Sequence, residues 1–178
     1  MYRDMTILVT IRQKRNEIML NVSIICVGKL KEKFWTDACN EYAKRLKGFC
    51  HFSIIEVDEE KLPDTPSPSQ IQITLDKEGQ RIISKIPKNA KVISMCIEGR
   101  QRSSEKLARE LSDIALSGAS SVAFIIGGSW GLSDEVKNLS DIRLSMSEMT
   151  FPHQLARVML CEQIYRAFQI NSHGKYHK

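Results

Sequence analysis

Residues 121–132 read Ser121-Val122-Ala123-Phe124-Ile125-Ile126-Gly127-Gly128-Ser129-Trp130-Gly131-Leu132. The first six, five of them apolar, read as a short strand, and the glycines close it at once. Upstream, Leu107, Leu111 and Ile114 give one apolar side of a helix. Ser103 and Ser104 are placed to cap its free amides, Glu105 suits its first turn, and Gly118 stops it. Before that helix come a strand over residues 91–97 and a polar loop over 99–102. Downstream, residues 133–139 read as a short helix and residues 142–146 as a strand. Residues 149–153 make a tight loop, and Pro152 sits where a final helix, running to about Ile170, begins.

The same alternation extends toward the N-terminus. Val22–Val27 reads as a buried strand punctuated by Gly28. Phe34, Trp35, Ala38, Cys39, Tyr42, Ala43 and Leu46 fall mostly at three- and four-residue steps, one face of a helix that Gly48 is placed to end. Residues 52–57 form a second strand. Residues 62–70 carry Pro63, Pro66 and Pro68 and read as a loop. Leu75, Ile82, Ile83 and Ile86 mark a helix, and Lys88–Asn89 a turn. Strands alternating with helices predict a single α/β/α sandwich on a mostly parallel sheet of five to six strands.

The chain has 178 residues, 42% hydrophobic and 26% charged, with a formal net charge of +5. That balance suits one folded domain and argues against disorder of the whole chain, and the basic excess favours contact with phosphates. The five cysteines show no CxxC and no metal-like histidine spacing, so reduced, buried thiols in a cytoplasmic protein are expected. No metal is expected. No apolar run approaches the roughly 20 residues that span a bilayer. Residues 1–18 lack a long apolar centre and a small-residue cleavage site, which argues against a signal peptide. We read them as a leader, with Met19 as the native start and residues 19–178 as the domain.

In an open parallel sheet, ligands bind beyond the carboxyl ends of the strands. Two loops leave such ends with suitable composition. One is the turn after Ile126, where adjacent glycines let backbone approach a ligand, although an ordinary glycine turn has the same composition. The other is Ser145-Met146-Ser147-Glu148-Met149-Thr150-Phe151-Pro152-His153, which offers amides, hydroxyls and apolar side chains beside a helix start. A capped turn would look similar. There is no GxGxxG, GxxxxGK[ST], GxSxG or HExxH. The last helix is apolar nearly all round, so it is covered by the fold, by a partner subunit, or by both. From Pro152 onward the chain holds Arg157, Arg166, Lys175 and Lys178 against one acid, Glu162, with Tyr176 and His177 as stacking surfaces. Such a tail suits RNA, although a solvated terminus has a similar composition.

Gly28-Lys29-Leu30-Lys31, Ile126-Gly127-Gly128-Ser129, Met149-Thr150-Phe151-Pro152-His153-Gln154-Leu155-Ala156-Arg157, Glu162-Gln163-Ile164-Tyr165-Arg166-Ala167 and the terminal Tyr176-His177-Lys178 together resemble one family. It is the bacterial 23S ribosomal RNA methyltransferase family that modifies N3 of a pseudouridine. The resemblance spans residues 19–178 and implies a SPOUT fold with a C-terminal trefoil knot, a homodimer, and S-adenosylmethionine as cofactor. It assigns cofactor contacts to Met95, Gly127, Met146, Ser147, Glu148, Met149, Thr150 and Phe151. The family often has Leu where Met95 stands, and it varies across 146–148. A side chain at Gly127 is expected to stand in the cofactor's path.

Methyl transfer to N3 requires that nitrogen to lose its proton. His153 is the candidate for that proton, with helix capping or RNA contact as alternatives. Arg157, one helical turn on, is expected to neutralise charge on the base. Arg166, Tyr176, His177 and Lys178 are expected to meet the RNA, from their own chain or from the partner subunit. The assembled ribosome is the expected substrate. The competing readings are a methyltransferase for another rRNA or tRNA position, and a non-enzymatic RNA-binding protein with a decayed pocket.

Overall fold

The computed structural model describes residues 19–176. The expectations for the leader and for His177 and Lys178 therefore fall outside the described residues. Within them, strands and helices alternate: β1 (Asn21–Val27), α1 (Lys33–Leu46), β2 (His51–Val57), α2 (Pro68–Ile83), β3 (Lys91–Gln101), α3 (Ser104–Leu116), β4 (Ser121–Ile126), α4 (Asp134–Leu139), β5 (Ile142–Ser145) and α5 (His153–Asn171). The five strands form one sheet in the order β2-β1-β4-β3-β5, and every pairing is parallel.

Two apolar layers cover the sheet. One joins Cys39 and Leu46 of α1, Leu107 and Leu111 of α3, and Leu160, Cys161 and Ile164 of α5 to one side of the strands. The other joins Ile82 of α2 and Val136 of α4 to Ile25, Val27, Ala123 and Ile125 on the opposite side. Helices α1 and α3 each carry the chain one way along the sheet, and α2 and α4 carry it back over the other face. All four crossovers thus share one hand, as parallel connections require. The stretch from Ser121 to Ile126 is fully internal because it lies at the middle of the sheet with both faces covered.

Two expectations are corrected. Residues 62–70 are not wholly loop, because α2 begins at Pro68. Ser67 Oγ accepts from the Gln70 amide while Gln70 Oε1 accepts from the Ser67 amide at 2.8 Å, a reciprocal cap with proline in the first turn. The polar stretch 99–101 belongs to β3. Met95 pairs with Leu144, the chain bulges out over 96–99, and Arg100 then returns to pair with Leu144 again. The bulge lies so close to β5 that a Cβ on Gly99 would stand 2.7 Å from the Leu144 carbonyl carbon. Sequence periodicity does not register such a detour, because the polar residues in it look like a turn.

Cys26, Cys39, Cys50 and Cys161 are buried, Cys96 is half-buried, and all five are free. Burial pushes the Cys26 and Cys50 thiols up to about 12, so they act as small apolar groups. Among the described residues no helix is long and apolar enough to cross a membrane.

Candidate functional site

The carboxyl ends of β3, β4 and β5 open into a cavity of about 800 Å³. That volume lies in the upper part of the roughly 300–1,000 Å³ range of small-molecule sites. Backbone forms two of its walls. Gly127-Gly128-Ser129-Trp130-Gly131 leaves β4 as a tight turn, with the Gly131 amide donating to the Gly128 carbonyl at 3.1 Å. Gly131 has φ +88°, a left-handed conformation that favours glycine. A Cβ on Gly127 would collide with the Gly131 carbonyl oxygen. The expectation for Gly127 is therefore corrected in its physical reason: a side chain there meets the turn itself before it reaches any ligand.

The second wall is the stretch from Ser145 to His153. Ser145 Oγ donates to the Ser147 carbonyl at 2.9 Å, and Ser147 Oγ accepts from the Met149 amide at 3.0 Å. These bonds hold the loop in a compact turn before α5. Met95, Gly127, Met146, Ser147, Met149, Thr150, Phe151 and His153 all line the cavity. Glu148 does not line it and is exposed.

Sequence reasoning missed the bulge of β3 and Lys137 in the last turn of α4, which complete the rim. Glu98 and Lys137 face each other there at 2.7 Å, and Lys137 holds the Glu98 carboxyl below its ordinary range. Their separation in the chain carries no signal of this contact. Trp130, Ile97 and Ser129 also line the cavity, and composition singled out none of their side chains.

His153 and Arg157, one turn apart on α5, part company. His153 is half-exposed in the cavity wall. Arg157 is fully buried and outside the lining. Its Nη1 donates to Glu56 Oε1 at 2.7 Å and its Nη2 to the Gly28 carbonyl at 3.0 Å. The same Glu56 oxygen accepts from the Leu30 amide at 3.3 Å. Arg157 thus ties α5 to the ends of β1 and β2, and the expectation that it faces a substrate base is corrected. A guanidinium this deep is held where a fork of donors meets a carboxylate and a carbonyl together.

Arg166 and Tyr176 do not line the cavity. Arg166 donates to Glu162 Oε1 from Nε at 2.9 Å and from Nη2 at 2.6 Å, and the Tyr176 hydroxyl donates to the same oxygen at 3.2 Å. The Tyr176 ring meets that of Tyr165 edge-on at 4.9 Å and lies 4.8 Å from the Arg166 guanidinium carbon. Within one chain, these two RNA candidates form a cluster of their own with Glu162 and Tyr165.

A doubly wound parallel sheet with a ligand-sized cavity beyond its strand ends defines a small-molecule-binding α/β protein. The comparisons sharpen this. The chain belongs to the SPOUT methyltransferase family, whose model, described as predicted SPOUT methyltransferase, matches residues 20–177. It is 52% identical over 159 residues to the ribosomal RNA large subunit methyltransferase H of Clostridioides difficile, covering 89% of this chain and 100% of that one. The proteins of the same name from an Exiguobacterium species and from Clostridium novyi are 50% and 49% identical over 159 residues, each again matched over 100% of its length and 89% of this chain.

Proposed function

We propose that this protein transfers a methyl group from S-adenosylmethionine to N3 of a pseudouridine in 23S rRNA, as a cytoplasmic homodimer acting on the assembled ribosome. The observation that carries the reading is the convergence of two backbone turns, 127–131 and 145–153, on one cavity. It occurs in a chain about half identical to relatives named as large-subunit rRNA methyltransferases.

The lining fits a sulfonium nucleoside. The turns offer backbone donors and acceptors to a base and a ribose, while Met95, Met146, Leu144 and Phe151 offer apolar and polarisable surface. When bound, the cofactor supplies an electrophilic methyl group, so orientation of the acceptor is the main demand on the protein. His153 in the cavity wall takes the proton from N3 of the base. Arg157 acts as a positioning residue, fixing the first turn of α5 and therefore the place of His153. Half-buried Leu155, Val158 and Met159 leave α5 with apolar surface that a second subunit would cover. A partner's Arg166 and Tyr176 would then approach the cavity that they do not line in their own chain. The trefoil knot belongs to the same reading. It is supported by the return of α5 from edge strand β5 to pack on α1 and α3.

The test is methyl transfer from labelled S-adenosylmethionine to ribosomes of a strain deleted for the enzyme, followed by mapping of the modified nucleotide. Label at N3 of one pseudouridine of 23S rRNA is expected. Label on another nucleotide or on tRNA would overturn the substrate. Cofactor binding with no transfer to any RNA would overturn the enzymatic reading.

A further inference from the structure

The cavity has an apolar collar. Ile97 is 56% exposed, Trp130 50% and Met149 68%, and all three stand on its rim. They come from three separate segments: the bulge of β3, the tip of the glycine turn and the loop before α5. Large apolar groups open to water and gathered around one opening mark a surface that something covers.

The backbone under Trp130 is unusually determined. Gly127 has no room for a Cβ beside the Gly131 carbonyl, Gly131 has positive φ, and Gly128 and Gly131 bridge each other. A turn closed in this way fixes the backbone that carries its tip residue, so little backbone freedom is lost when the indole meets a ligand.

We propose that Trp130 is the stacking platform for the target nucleobase, holding the unpaired base over the cavity so that its acceptor nitrogen points inward. The inference rests on the methyltransferase reading and adds to it a residue that selects an unstacked base. Three observations favour a nucleobase over a second copy of the chain. The collar is a ring around an opening rather than a continuous face. It is interspersed with Ser129, Ser147 and Thr150, whose hydroxyls suit a ribose. And the cavity behind it is at the large end for one small ligand, which leaves room for a base beside a cofactor.

The experiment compares wild type with Trp130→Ala and Trp130→Phe on undermethylated ribosomes. Aromatic–base stacking predicts a KM for ribosomes raised roughly five- to hundredfold in Trp130→Ala, with S-adenosylmethionine affinity kept and most of the loss recovered in Trp130→Phe. A fluorescence arm uses Trp35→Phe, which leaves Trp130 as the sole tryptophan. Its emission is expected to be quenched by a 23S rRNA fragment carrying the target pseudouridine, with cofactor present throughout. An unchanged KM in Trp130→Ala, or an equal loss of cofactor affinity, overturns the proposal. So does a changed oligomeric mass, which would make the collar a subunit interface. If wild type itself transfers no methyl to RNA, the underlying reading fails and this one falls with it, an outcome distinct from any variant effect.

Discussion

Two polar regions sit within one helical turn of each other at the start of α5, and they are built in opposite ways. The cavity side is made of backbone turns, hydroxyls and half-exposed side chains, with His153 facing open space. The opposite side, toward β1 and β2, is closed: Arg157 is fully buried and bound to Glu56 and Gly28. The contrast teaches that two charged-type residues four apart need not share a role. One is placed to meet a ligand, and the other holds the element that places it.

That division is broken most directly through His153. His153→Ala is expected to lower kcat about 10²- to 10⁴-fold, the range for loss of a general base, with cofactor affinity and denaturation midpoint near wild type. Single-turnover methylation and a urea titration separate the two readouts. Arg157→Ala should instead lower stability, by about 3 kcal/mol, the low end for a broken buried ion pair because the Glu56 side chain is 34% exposed and can rehydrate, with turnover falling only as His153 loses its place. If Arg157→Ala kept its stability and lost only turnover, Arg157 would belong with the cavity after all.

A smaller effect is expected at the glycine turn. Gly127→Val must displace Gly131, so cofactor binding by calorimetry should be lost while unfolding free energy falls by about 1–3 kcal/mol, the usual cost of forcing atoms into packed space. Tight cofactor binding by that variant would remove the turn from the site. Removing residues 176–178 should leave cofactor affinity unchanged and weaken RNA modification. Its salt dependence should flatten by about one unit for each phosphate that the tail no longer neutralises.

The smallest effect concerns the rim ion pair of Glu98 and Lys137. Lys137 depresses the Glu98 pKa, so the stabilisation is complete above the ordinary carboxylate range and is lost as pH falls through the depressed value. Wild type should exceed Glu98→Gln in Tm near neutrality by no more than an exposed pair allows, under about 1 kcal/mol, and the gap should close below about pH 4. A gap that persisted in acid would show that the pair is not what separates the two proteins.

The sequence alone was enough to determine the order of elements, the parallel α/β class and the two strand-end loops that wall the cavity. Those features are written locally, in apolar period, in glycine and proline, and in the direction a strand must leave a parallel sheet. Tertiary structure alone decided that Arg157 turns inward, that the bulge of β3 brings Glu98 to Lys137, and that Ile97, Trp130 and Met149 ring one opening. It also set Arg166 and Tyr176 against Glu162, outside the lining of their own chain's cavity. The physical reason is distance along the chain. Arg157 and Glu56 are 101 residues apart, and no local pattern records which carboxylate a buried guanidinium will find once the sheet has closed around it.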